Sequence, residues 1–269
     1  MKTRYKQSGR TLAEMAVVIA AIVLLGSFGL PAVRTFLDSF ESGASAKAVI
    51  SAALASARAI AAKEQRYAGI RFQKAYNPDA PLDPLKADQY MVFIVQDPSM
   101  GAYFFRAVEG LQPIKLPDTF GVMDLRYRTN TNPRYSGDAP IVSDIEIADL
   151  NILRDTTAFS IIFSPSGKLV IHDVRVRNRD GERDTSPTVS FDDVFNKKVQ
   201  VDTGIGMIYQ DDYANLGLGM DESRRSFVIF DRQEFRRAYE KGQAYSGYLQ
   251  RLLPDAIYIN PYTGTMIGK

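Results

Sequence analysis

One uncharged stretch near the N-terminus constrains this chain more than any other feature. After the polar, basic start MKTRYKQSG comes RTLAEMAVVIAAIVLLGSFGLPAVR, in which Met15 to Leu30 carry no charge and are almost all apolar. With Leu12 and Ala13 before it and Pro31 to Val33 after it, the run reaches roughly 20 residues, enough for a helix to cross a bilayer core at ~1.5 Å per residue. Lys2, Arg4 and Lys6 precede it and should stay in the cytoplasm, which places everything after Arg34 outside. Three readings compete: a cleaved secretory signal, although no A-x-A pattern stands out between Gly26 and Ala32; a plain signal anchor; and a short leader removed ahead of the apolar run.

Glu14 separates these readings. It sits just inside the apolar run, where an ionised carboxylate costs several kcal/mol unless a partner neutralises it. A signal peptide or plain anchor has no use for such a group. Ser8-Gly9, then Arg10-Thr11-Leu12-Ala13-Glu14, then an unbroken apolar stretch reaching Pro31, resembles the N-terminus of the prepilin family, the precursors of type IV pilins and pseudopilins. The resemblance implies cleavage between Gly9 and Arg10 by a membrane aspartyl peptidase, with Arg10 as the site of N-methylation. Glu14 is then the fifth residue after the cut and Pro31 the twenty-second, the family's spacing. Arg10 stands where the family usually has phenylalanine, and Ala13 where it has a larger apolar residue.

The physical logic runs the same way. Cleavage creates an ammonium at Arg10, and in a filament that cation can meet the Glu14 carboxylate of a neighbouring subunit in a low-dielectric helix bundle. Each subunit would carry both halves of a charge pair completed only by assembly. The resemblance covers about residues 8 to 33.

Beyond it, Gly26, Gly29 and Pro31 weaken the helix, and TFLDSFESGASAKAVISAALASARAIAAKEQ regains helical character. Val33, Phe36, Leu37, Phe40, Ala44, Ala48, Leu54, Ala57 and Ile60 approximate one apolar stripe, with Asp38, Glu41, Lys47, Arg58 and Lys63 mostly off it. From Tyr67 onward, AGIRFQ, QYMVFIVQ, AYFFRAVEG, VMDLRYR, AFSIIF and KLVIHDVRVR have strand character and are separated by Pro, Gly, Asn and Asp clusters. Ser164-Pro165-Ser166-Gly167 predicts a tight turn in an antiparallel hairpin. Phe163 to Gly167 and the passage LASARAIAAKEQRYAGIRF also resemble segments of H-type minor pseudopilins and related minor pilins. The last third reads as an addition: a strand, a helix capped near Asp231, and a closing hairpin around Asn260 to Gly264.

The expected fold is therefore α+β and pilin-like. A long N-terminal helix, transmembrane in its first half, packs on an antiparallel β-sheet head that carries a C-terminal α/β extension. The expected divisions are a leader at 1–9, a transmembrane helix at 10–33, its amphipathic continuation at 34–66 and a periplasmic head at 67–269.

Little in the chain reads as catalysis. Cysteine is absent, which removes thiol nucleophiles, thiolate metal sites and disulfides together. The formal charge is +2, from 33 bases against 31 acids; loss of the leader's three bases leaves 30 against 31, no basis for bulk nucleic-acid binding. His172 is the only histidine and reads as a partly exposed strand residue. The run Asn178 to Asp184 lacks a full calcium-loop pattern, and Asp192 and Asp193 diverge on any regular element. Asp211, Asp212, Asn215, Asp221 and Glu222 form a second calcium candidate, because some pseudopilins bind calcium in a late loop. Arg224, Arg225, Arg232, Arg236, Arg237 and Lys241 form a basic face interleaved with Asp231, Glu234 and Glu240, which reads as solvated. No phosphate-binding loop, dinucleotide fingerprint or nucleophile elbow is present.

The resulting expectation is a structural subunit of a type II secretion pseudopilus or type IV pilus, not an enzyme, with no cofactor beyond the calcium candidate. Its partners would be other pilin or pseudopilin subunits, the prepilin peptidase and the inner-membrane assembly platform. It would cross the inner membrane once with its N-terminus cytoplasmic. The alternative is a membrane-anchored periplasmic binding or enzymatic domain with a prepilin-like anchor.

Overall fold

The computed structural model describes residues 46–76, 85–99, 102–108, 110–128, 138–176, 207–208 and 221–268. All lie in the compact unit Ser45–Lys269. The first described element is a helix, α1, at 46–64. Ala46, Ile50, Ala53, Leu54, Ala57 and Ala61 are buried along one side, while Lys47, Ala48, Lys63 and Glu64 are exposed. The buried positions recur at three- and four-residue steps, the period of a one-sided helix. The predicted stripe is thus shifted in phase at Ala48, because alanines on both sides of the helix left the stripe poorly marked and Ile50 sets the true face. Gln65 ends the helix at φ 52°, and the Arg66 amide donates to the Ala61 carbonyl at 3.3 Å, the closing pattern of a left-handed C-cap.

The expected membrane-crossing helix is corrected here. Among the described residues no helix is long and apolar enough to cross a membrane, and α1, with charges along its outer side, is an amphipathic helix lying on a sheet. Residues 10–45 of the expected long helix lie outside the described residues.

The sheet under α1 follows from strict alternation. Strands β1 (Ala68–Tyr76), β2 (Gln89–Gln96) and β8 (Phe159–Phe163) pair antiparallel with β1 in the middle. Ala68, Ile70 and Phe72 of β1, Met91, Phe93 and Val95 of β2, and Phe159, Ile161 and Phe163 of β8 form one core with the α1 stripe. The opposite face carries Tyr90, Val92, Ile94 and Ile162, also buried, so β2 reads as a continuous apolar run. A Cβ at Gly69 would stand 1.9 Å from the Ile161 carbonyl oxygen, so close approach of β1 and β8 requires glycine there.

Seven strands of this sheet lie in the order β12-β10-β3-β2-β1-β8-β9, with β3 (Phe104–Ala107), β9 (Leu169–Val170), β10 (Asp173–Val176) and β12 (Asp221–Glu222) completing the path. Two short strands flank it, β4 (Ile114–Lys115) on β2 and β11 (Met207–Ile208) on β1. The turn Ser164 to Gly167 joins β8 to β9 as an antiparallel hairpin, with Gly167 at φ +74°. The single strand expected to follow splits at His172, after which β10 runs parallel to β3. Ser223 fills the break: its hydroxyl donates to the Val170 carbonyl and accepts the His172 amide, both at 2.9 Å.

The second sheet, in the order β15-β14-β13-β5, corrects the expected C-terminal extension. Strand β13 (Ser226–Asp231) pairs with β5 (Phe120–Met123) on one side and β14 (Ile257–Ile259) on the other. The last third therefore completes a sheet begun a hundred residues earlier, and Phe227, Ile257 and Ile259 enter the same core as α1. The chain closes in the hairpin of β14 and β15 (Met266–Ile267), where the Asn260 carboxamide accepts the amides of Tyr262 and Thr263. Helices α2 (Asp144–Ala148), α3 (Leu150–Thr156) and α4 (Arg232–Glu240), with the π-helical turn Tyr245–Leu249, cover the other face through Ile147, Leu153, Phe235 and Leu249 against Val228 and Phe230. Strands β6 (Arg126–Arg128) and β7 (Asp138–Pro140) pair only with each other among the described strands. The described fold is thus α+β with largely antiparallel sheets.

Candidate functional site

The residues expected to carry processing and assembly, Gly9, Arg10, Glu14 and Pro31, lie outside the described residues, as do Asp211 and Asp212 of the calcium candidate. Asp221 is described. It lies in β12, is buried, and stands 3.5 Å from the Arg71 guanidinium, so its carboxylate is committed to a cation of the protein. Among the described residues no group of three or more His, Cys, Asp or Glu is placed to hold a metal ion.

What the fold assembles instead is a buried ion cluster where its three sheets meet. Alternation along β1 turns Arg71 and Gln73 to the face opposite α1. Arg71 is fully buried; its Nε donates to Gln73 Oε1 at 3.0 Å and its Nη1 to Ser160 Oγ at 3.1 Å. On the chain's return, Arg224 leads into β13. Its backbone amide donates to the Ser160 carbonyl at 2.7 Å, which anchors it to β8. Its side chain bonds the Asp124 carboxylate through Nε, the Glu222 carbonyl through Nη1 at 2.7 Å, and lies 2.6 Å from Asp138 Oδ2. Asp124 follows β5, tied by its amide to the Thr156 carbonyl at 2.8 Å, and Asp138 opens β7. Asp138 completes the ion pair from a nearly fully buried position.

Charge and burial oppose each other in this cluster. Arg71 and Arg224 are ion-paired to three carboxylates, Asp124, Asp138 and Asp221, and Arg126 also acts on Asp124 from β6. Burial pushes the Asp124 carboxyl up to about 6 against the attraction of Arg224, and the Asp138 charge adds to the rise. Burial works against the charge on Arg224, yet the carboxylates of Asp124, Asp221 and Asp138 outweigh it and hold Arg224 above its ordinary value. A second polar joint, Gln89, donates to the carbonyls of Val122 and Thr157 and accepts the Val122 amide, each at 2.8 Å, bonding β2 to β5. These groups hold elements together; they present no activated nucleophile.

The remaining sequence candidates have ordinary surroundings. His172 lies in the break between β9 and β10, half-buried, with its ring 4.5 Å from that of Tyr67 and 5.6 Å from that of Phe105. The basic face is divided: Arg224 is buried in the cluster, and Arg232 donates to the carbonyls of Lys86 and Ala87 at 2.9 and 2.8 Å. Arg236 pairs with Glu240 at 3.8 Å on the exposed side of α4. Sequence reasoning missed Arg71, Asp124 and Asp138. The one signal for Arg71 was a charged residue between Ile70 and Phe72 in an otherwise apolar strand.

No known family profile matches the chain, no curated protein matches it, and no solved structure matches it.

Proposed function

We propose that this chain is a structural subunit of the type IV pilin-like class, a minor pilin or pseudopilin. A prepilin peptidase removes residues 1–9, the apolar segment holds the protein in the inner membrane with its head outside, and an assembly platform moves it into a filament. The observation that carries this reading is Glu14, an acid placed in an uncharged run at the fifth position after Gly9. In the hydrocarbon region that carboxylate needs a cation. The amine freed at Arg10 of an adjacent subunit supplies one, so that the pair forms only between copies and favours growth of the filament. The amphipathic α1 laid on an antiparallel sheet is compatible with a head of this class. The buried cluster fits a subunit whose described polar groups secure its own fold.

Replacing the acid tests the assembly step directly. Glu14→Ala should leave export and the folded head unchanged and reduce the sheared filament fraction at least several-fold by immunoblot, with the protein retained in the membrane. Equal incorporation of Glu14→Ala and the unaltered chain contradicts the proposed role of the charge pair. An altered head with a periplasmic activity that survives loss of filaments would favour an anchored binding or enzymatic domain.

A further inference from the structure

Three segments meet at one corner of the fold, and together they carry no acid. Helix α1 packs on Phe163 and Leu169 of the β8–β9 hairpin and on Ile257 and Ile259 of β14. The Leu169 amide donates to the Pro261 carbonyl at 2.8 Å, which bonds the two hairpins to each other. Residues 46–63, 157–172 and 256–268 contain the bases Lys47, Arg58, Lys63 and Lys168 and neither aspartate nor glutamate, in a chain of 33 bases and 31 acids. A sign imbalance confined to segments that touch makes a local positive field.

Two of these cations bracket the tip of the closing hairpin. Arg58 reaches it from α1, its Nη1 donating to the Thr263 carbonyl at 2.6 Å, and Lys168 stands over the neighbouring Tyr262 ring, its Nζ 5.7 Å from the centroid. Bare backbone clears the course of the arginine: a Cβ at Gly167 would stand 2.9 Å from Arg58 Nε, and one at Gly264 would stand 3.3 Å from Arg58 Cδ. The fold therefore places the guanidinium, and the Thr263 carbonyl takes only one of its N–H donors. Among the described residues neither Arg58 nor Lys168 has a carboxylate partner. Tyr262 is 69% exposed between them.

We infer that the junction of Arg58, Lys168 and Tyr262 is a docking site for an acidic segment of a partner protein. A pre-placed guanidinium takes a carboxylate through its planar fork, and the ammonium beside it adds a point charge for a second one. The exposed tyrosine supplies contact area of the kind that anchors protein interfaces. A nucleic-acid backbone asks for a longer row of cations, and a membrane surface asks for a broad apolar face. Here the cations flank a two-residue tip whose exposed apolar group is one tyrosine ring, which matches a short acidic peptide better than either.

Fluorescence anisotropy of a labelled hexaglutamate peptide, titrated with the full-length chain in neutral detergent at low ionic strength, tests the site. Lys168→Gln and Arg58→Gln should each weaken binding about threefold, and the two together about tenfold. Arg58→Lys, which keeps the charge and loses the fork, should weaken it as well. Lys47→Gln, about 16 Å away along α1, should leave binding unchanged, and a hexaglutamine peptide should not bind. Absence of hexaglutamate binding, an equal loss in Lys47→Gln, or unchanged binding in the double variant overturns the inference. So does tighter, Lys168-dependent binding of a DNA duplex or of phosphatidylglycerol vesicles. Should the Arg58 variants not fold, Lys168→Glu at the exposed position carries the test: a loss of about tenfold supports the site, and unchanged binding overturns it.

Discussion

At the scale of single residues, the described unit depends on polar side chains in positions where the surrounding pattern is apolar. Arg71 is the clearest case. Its neighbours Ile70 and Phe72 enter the α1 core, so alternation sends its guanidinium to the opposite face, where Gln73, Ser160 and Asp221 receive it. The alternation was legible in AGIRFQ, but the partner was not, because Asp221 lies 150 residues away and nothing local marks the pair. Asp221, read in the sequence as part of a calcium candidate, stands beside Arg71 in the fold. Removing one member of a buried pair leaves the other charge uncompensated, at a cost of about 3–5 kcal/mol. Arg71→Met should therefore lower the unfolding free energy from a chemical melt by that amount, and a change below about 1 kcal/mol would mean that the pair contributes little.

At the scale of elements, local signals were read well and long-range pairing poorly. The α4 start was legible: Asp231 caps the helix, its side chain accepting the Glu234 amide at 2.8 Å. Asp231→Ala should cost about 1 kcal/mol, seen as a lower melting temperature. An unchanged melt would show that the neighbouring Tyr248 hydroxyl, which accepts the Asp231 amide at 2.7 Å, fixes the helix start unaided. The Ser164 to Gly167 turn and the closing hairpin were legible for the same reason, since turn chemistry is local. Strands β4, β11 and β12, two residues each, carry no periodicity of their own. The parallel pairing of β10 with β3 and the antiparallel pairing of β13 with β5 join segments remote in sequence, which is why the last third read as an addition. The phase of α1 escaped because alanine marks a buried face only weakly.

At the scale of the whole molecule, one core joins α1, the large sheet and the C-terminal strands into a single unit. The described residues account for how that unit is held, through Gln89 and the Arg71 and Arg224 cluster as well as apolar burial. Its proposed task rests on the N-terminal sequence, on an apolar segment with a glycine before it and an acid within it, read as a signal for processing and assembly. Intact mass and N-terminal sequencing of the full-length chain, expressed with and without a prepilin peptidase, test that claim most directly. The account predicts loss of residues 1–9, exposing Arg10, only when the peptidase is present. An N-terminus that stays intact beside an active peptidase, or a cut near Ala32 in either case, would contradict it.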